Sequence, residues 1–301
     1  MRCCLPHRWP CFEHRRAYHA SRYDLDCDLT AEPQILGAVE FDPQIRAYYE
    51  HGKEAARLGT GAGLLELART KEIVDRFLPA GTLDILDVGG GPGIYATWLS
   101  DLGHRVRVID PISLHVEQAT AQGLEAEVGD ARRLNRSDAS EDVVLLLGPL
   151  YHLPDSDDRR RALSESLRVL RPSGLLFAAG ISRHAALLDL LVNLDKLHHA
   201  GVFDVVKESV ASGVFRGPGQ GDLFTTAYFH RPGELREELA DAGFEAARVF
   251  HVEGPGFLVP DLEARLKDPP RREALLNAAR LVEEDETLIA SSHLLGVARK
   301  R

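Results

Sequence analysis

The residues best suited to chemistry gather in DILDVGGGPGIYATWL, positions 84–99. Asp87, Gly89, Gly91 and Gly93 form D-x-G-x-G-x-G there, and Gly91, Gly93 and Ala96 overlap it as G-x-G-x-x-A. Backbone without side chains, between an apolar run and an amphipathic one, is a surface that a ligand can press against. The second pattern suits a dinucleotide, but a carboxylate two positions before the first glycine attracts a cation and repels a pyrophosphate. Asp87 therefore argues for a ligand carrying a positive group. Asp110 in VRVIDP and Asp130 in VGDA follow later apolar runs, where an acid also suits capping of the next helix. His152 in GPLYHLPD and His230 in TTAYFHRP adjoin such runs too, and an imidazole of ordinary pKa, about 6.5, can take a proton at neutral pH.

These residues need a scaffold that brings the ends of the runs together. Apolar segments at 83–88, 105–109, 124–128, 142–147 and 174–180 are predicted strands, with helices near 93–102, 113–122 and 157–170 between them. Ahead of them, Asp42-Pro43 opens a helix predicted through about Leu58, and a second runs from near Ala62 to Leu78. This alternation predicts a doubly wound α/β fold, a parallel sheet covered on both faces, with ligands beyond the carboxyl ends of the strands. Residues 181–230 break the rhythm with a long helical stretch and the loop FRGPGQGD, and an insertion of that length is expected to form a cap or lid. A strand near 244–251, a helix near 270–288 and a strand near 291–298 follow.

Asp87 to Gly93, Asp110 closing VRVIDP, Gly129-Asp130-Ala131 and EDVVLLLGPLYHL together resemble, in order and spacing, the motifs of class I S-adenosylmethionine-dependent methyltransferases. The resemblance covers about residues 40–301. It implies a Rossmann-like seven-stranded sheet with an antiparallel last strand, N-terminal helices, and S-adenosyl-L-methionine as cofactor. By the same resemblance, Gly89, Gly91 and Gly93 let the methionine and ribose portions approach the backbone, and Asp87 meets the methionine ammonium. Asp110 would accept from both ribose hydroxyls, Asp130 from the adenine amine, and Ala131 would offer its N–H to the ring. Gly148 would turn its carbonyl to the ammonium. Tyr48 and Tyr49 sit on a helix that in this family often folds over the cofactor, so either hydroxyl is a candidate partner for the methionine carboxylate, with Arg46 or Arg57 neutralising it. Gly90 and Pro92 depart from the small polar residues commoner at those places.

Methyl transfer from a sulfonium is an in-line displacement that depends chiefly on positioning, and a base contributes only when the acceptor must lose a proton. His152, in the loop after the fourth strand, is the candidate base and His230 a second; no trio of oxygen ligands for a metal stands out.

The 301-residue chain is 44% hydrophobic and carries a formal charge of −10. Such a balance gives no general attraction to nucleic acid or anionic membrane, and favours a small-molecule acceptor. No apolar run approaches the ~20 residues of a membrane span. Cys3, Cys4, Cys11 and Cys27 all lie in the first 27 residues, among His7, His14 and His19 but without zinc-ligand spacing. The expectation is a reduced, cytoplasmic protein with a disordered tail over 1–38 and a methyltransferase domain over 39–301. Its expected function is methyl transfer to an O, N or C atom of a small metabolite or natural product, with Leu187, Leu188, Leu190 and Leu191 giving the cap an apolar inner face. The alternatives are a NAD-dependent oxidoreductase, for which no Tyr-x-x-x-Lys set is evident, and a non-catalytic S-adenosylmethionine-binding protein on the same fold.

Overall fold

The computed structural model describes residues 42–52, 54–217 and 223–301, all within the unit Val39–Arg301. The tail expected over 1–38 lies outside the described residues. Asp42 caps α1 (Pro43–Glu50), its carboxylate accepting from the N–H groups of Gln44 and Ile45, while Pro43 presets the first turn. The helix stops well short of Leu58: Gly52 takes φ 71° and the chain restarts as one turn, α2 (Glu54–Arg57). That break swings Glu54 and Arg57 toward the ligand side of the sheet. α3 (Gly63–Phe77) then precedes the regular alternation β1 (Asp84–Val88), α4 (Ile94–Asp101), β2 (Arg105–Asp110), α5 (Ser113–Ala121), β3 (Glu125–Val128), β4 (Glu141–Leu146), α6 (Ser156–Val169) and β5 (Leu170–Ser182).

The strands form because their apolar residues serve two cores at period two. Ile85, Val143, Leu145 and Phe177 pack on one face, while Leu86, Val144, Leu146 and Leu176 pack on the other. The parallel order is β3-β2-β1-β4-β5. Strand order reverses between β1 and β4, so the loops that follow them diverge and open a crevice.

After β5 the insertion folds as α7 (Ala185–Leu188), a π-type turn over Asp189–Asn193, α8 (Val202–Ser212) and the short strands β6 (Val214–Phe215) and β7 (Ala227–His230). β4 pairs with β5 as far as Ala178, and β7 takes up the same edge at Ile181 and Ser182. Then come α9 (Pro232–Asp241), β8 (Phe244–His251), α10 (Leu262–Lys267), α11 (Pro269–Leu281) and β9 (His293–Lys300). β9 is antiparallel to both β5 and β8. The expected seven-strand path, with its antiparallel last strand, is thus present, and β6 and β7 extend it to nine. α11 ends at Leu281, before the expected 288, and Glu283 just beyond it accepts from Arg69 and Arg76 of α3 at 2.5 and 2.6 Å. No described helix is long and apolar enough to cross a membrane.

Candidate active site

The turn after β1 is built for backbone exposure. Gly89 has φ 67°, and a Cβ there would sit 2.7 Å from the Pro149 ring; Gly93 has φ 87° and would meet Leu124 at 2.4 Å. Gly91 also lies at positive φ, with no atom nearer than 3.7 Å to a Cβ built there. A side chain at Gly90 would press on the Asp87 carboxylate at 2.6 Å, which accounts for the departure at that position.

Asp87, Gly89, Gly91, Asp110, Asp130, Ala131 and Gly148 all line one cavity, where Tyr49 and His152 close the side toward α1. Asp87 is fully buried near the end of β1; its carboxylate has no side-chain hydrogen-bond partner among the described residues, and only the backbone N–H of Ala96 lies near enough to favour its charged form. Burial, reinforced by the neighbouring Asp110 charge, pushes its carboxyl up to about 7. A buried acid without a side-chain partner at the floor of a cavity is the counterpart of a cation.

Asp110 is placed as expected but already employed. Its Oδ2 accepts from Gly91 N–H at 2.8 Å, and Oδ1 accepts from Ile112 N–H at 2.9 Å and lies 3.0 Å from His115 Nδ1. It therefore ties the glycine turn to the end of β2, with lone-pair capacity left for a ligand hydroxyl. Asp130 is forked by Arg132, which reaches its two oxygens at 2.9 and 2.6 Å and also binds Asp158. An adenine amine would share that carboxylate.

The proposed histidines separate. His152 is buried, and its Nε2 lies 2.6 Å from the Tyr49 hydroxyl. Burial, with Arg57 adding to it, pushes the imidazole down to about 3, so it is neutral and a weak base. Tyr49 is correspondingly engaged by His152. Tyr48 lies half-exposed outside this first cavity, edge-on to Tyr49 and Phe224. His230 lies outside the crevice altogether: its fully buried ring sits against Gly180, with Nε2 3.3 Å from Glu238. β7 does rejoin the sheet near the crevice, but this side chain turns toward α9.

Because His152 binds protons less readily folded than unfolded, acid should destabilise the fold. Between the unfolded value of about 6.5 and about 3, the unfolded chain takes the proton and the folded one does not, at up to ~1.4 kcal/mol per pH unit. His152→Gln is expected to flatten that limb. Melting curves at pH 7 and pH 5 check it, and an unchanged acid loss would contradict the burial.

A second cavity of about 290 Å³ adjoins the first through shared walls at Tyr49, Glu54, Arg57 and Tyr151. Tyr48, Phe215, Phe224, Phe229 and Leu190 make it largely aromatic and apolar. Of the four leucines expected to face inward, Leu190 lines this cavity and Leu187 packs against Leu190, Val202 and Val206 within the cap, while Leu191 is 54% exposed on the π-type turn. Arg57 is held by Glu54 at 2.8 Å and by Glu66 at 2.6 Å. Beyond Glu66 lies a group that the motifs did not reveal: Glu66, Glu253 and His293, whose ligand-type atoms lie within 4.8 Å of one another. Their charges are already matched, since Arg57 pairs with Glu66 and His293 Nδ1 lies 2.5 Å from Glu253. In sequence these residues are far apart, and the only local signal is a polar residue opening an apolar strand.

A family profile described as a methyltransferase domain matches residues 86–178, which run from within β1 through most of β5 and hold Asp87, Asp110 and Asp130 of the first cavity. Residues 86–178 are thus similar to a methyltransferase domain. The chain is 35% identical over 123 residues to an uncharacterized methyltransferase of Mycobacterium tuberculosis, a match covering 39% of the chain and 49% of the relative. The chain thus spans about half the length of that relative. It is 26% identical over 231 residues to a ubiquinone biosynthesis O-methyltransferase of Azorhizobium caulinodans, covering 75% and 83%. Among solved structures, an S-adenosylmethionine-dependent methyltransferase of Methanosarcina mazei superposes with TM-score 0.51 at 22% identity, covering 76% of this chain and 96% of that one. A possible histamine N-methyltransferase of Thermotoga maritima gives 0.53 at 19%, covering 86% and 99%. Those two likenesses speak to the fold.

The first cavity fits the family's cofactor on its own chemistry. S-adenosylmethionine has an ammonium that would suit the buried Asp87 carboxylate, a ribose that would suit Asp110, and a purine that would suit the strip at Asp130 and Ala131. The glycine turn leaves room for its backbone-hugging portion.

Proposed function

We propose that the chain is an S-adenosylmethionine-dependent methyltransferase whose acceptor is a small, largely apolar or aromatic molecule. The observation that carries the reading is the buried Asp87 carboxylate, without a side-chain partner among the described residues, beneath the glycine turn in a cavity that shares its walls with a second, aromatic one. The bound donor supplies a methyl group activated on a sulfonium. The chain's own part is to hold and orient: Asp87, Gly148, Asp110 and Asp130 fix the donor, and Tyr49 and Tyr151 form the partition across which the acceptor lies. The insertion over 181–230 acts as a cap on the 39–301 domain, contributing Leu190, Phe215 and Phe229 to the acceptor wall and excluding water. Most of the acceleration then comes from orientation, for which roughly 7–11 kcal/mol is available. The named O-methyltransferase relative supports a small acceptor, as does the aromatic, apolar lining of the second cavity.

Calorimetric titration of the full chain tests the reading. S-adenosylmethionine and S-adenosylhomocysteine are expected to bind, and NADH is not. Binding of NADH alone would overturn the assignment of all three acids.

A further inference from the structure

The second cavity ends at His293, the first residue of β9. Its Nδ1 lies 2.5 Å from Glu253 Oε1 and 3.7 Å from Glu66 Oε2. Glu253 is buried and cannot swing away, because its other oxygen accepts from His293 N–H at 2.9 Å and from the Ser291 hydroxyl at 3.2 Å. A carboxylate fixed on both oxygens sets the ring orientation and keeps the proton on Nδ1. Nε2 is then the nitrogen that the ring has left for the cavity.

We propose that His293, oriented by Glu253, is the base that removes the proton from a hydroxyl acceptor, so that the substrate class is a phenol or alcohol. The proposal rests on the methyltransferase reading above. The O–H bond of the acceptor breaks and its proton passes to Nε2. The oxygen lone pair forms the new O–CH₃ bond as the methyl's bond to the sulfonium sulfur breaks, the electron pair staying on sulfur. The proton on Nε2 later leaves to solvent, so charge and atoms balance without another reactant.

The surroundings suit that task better than those of His152. Charged groups face His293 from three elements: Glu66 on α3, Arg57 on α2, and Glu253 in the segment after β8. Burial disfavours the imidazolium, but Glu66 and Glu253 outweigh it while Arg57 opposes them, and the ring is held up to about 9. A base of that strength is close to the value of about 10 for a phenol, whereas His152 is far below it. The consequence is a rate that climbs with pH, about tenfold per unit, until His293 is deprotonated near 9.

The test uses the full chain and two readouts. Transfer of labelled methyl from S-adenosylmethionine is followed on a panel of phenols, including catechol, and of primary amines of like size. His293→Gln is expected to lower turnover of the phenols by about 10²-fold or more, leaving affinity for S-adenosylmethionine intact because the ring lies outside the donor cavity. Independently of any acceptor or of how His293→Gln folds, NMR of the S-adenosylhomocysteine complex follows the His293 ring. It should titrate near 9 in the wild type and by about one unit or more lower in Glu253→Gln, with the rate profile moving alongside. A ring that titrates at an ordinary value, a His293→Gln enzyme as fast as wild type, or a wild type that methylates no phenol overturns the proposal. Failure of the wild type to bind S-adenosylmethionine would instead overturn the underlying reading.

Discussion

Asp87→Asn is expected to melt at a higher temperature than wild type at pH 8, and to bind S-adenosylmethionine about 10- to 100-fold more weakly. The two effects have one cause. In the folded chain the carboxyl is raised from 3.8 to about 7, by burial first and then by the Asp110 charge. Between those two pH values the unfolded chain has lost the proton while the folded chain retains it, so stability falls as pH rises from about 4 to about 7. Above pH 7 the full cost is present, on the order of 4 kcal/mol as an upper bound. Asparagine removes the charge but keeps an unpaired polar group, so only part of that is recovered. An arriving ammonium would reverse the balance, which is why a destabilising acid belongs in a binding site. Melting curves at pH 5 and pH 8 with parallel calorimetry decide the matter. The gain should be large at pH 8 and small at pH 5; equal melting at both, or undiminished affinity, would remove Asp87 from the donor site.

Asp87 also shows what sequence makes visible. Its spacing to three glycines is local, and the strand–turn–helix that positions it is dictated within a dozen residues, so both the turn and the acid could be read directly. Asp110, Asp130 and Gly148 share that property, Asp110 closing β2 and the other two lying two residues past β3 and β4. The periodicity of the strands fixed their faces for the same reason, since Ile85 and Leu86 must serve opposite cores. Side-chain partnership is different, because it depends on what other segments bring. His152 had the right position in the chain, but Tyr49, from α1, takes its Nε2 and burial weakens it as a base. His230 adjoined the right strand and turned the other way, to Glu238 on α9. His293 needed Glu253 from the segment after β8 and Glu66 from α3 to acquire its character, and neither contact has a spacing rule. The break at Gly52 could have been suspected from the glycine itself, yet its effect, turning Arg57 onto Glu54 and Glu66, is tertiary.

The same dependence on distant partners makes Arg159 a residue whose loss should cost much in stability. It is 3% exposed on α6, and its guanidinium lies 3.7 Å from the centre of the Tyr228 ring. Nε and Nη2 donate to Glu238 at 2.9 and 2.7 Å, while Nη1 donates to the carbonyls of Leu153 and Pro154 at 2.8 and 2.9 Å. One side chain thus ties α6 to α9 and anchors the end of the loop that carries Gly148, Tyr151 and His152. Arg159→Leu leaves Glu238 with His230 as its remaining partner among these contacts and strands two carbonyls, an expected loss of about 3–5 kcal/mol. The loss should depend on pH. Despite burial, His230 and Arg159 hold the Glu238 carboxyl down to about 2, below its unfolded value of about 4.3. Its contribution is therefore complete above about pH 4.3 and fades as pH falls toward 2, so the gap between wild type and variant should be widest near neutrality. Urea unfolding at pH 7 and pH 3 measures it, and a deficit under about 1 kcal/mol at pH 7 would show that the pair is dispensable. Arg159→Lys keeps the charge but not the fork, and should recover only part of the stability. Since the anchored loop forms the partition between the donor and acceptor cavities, Arg159→Leu should weaken both donor binding and turnover although the residue touches neither cavity.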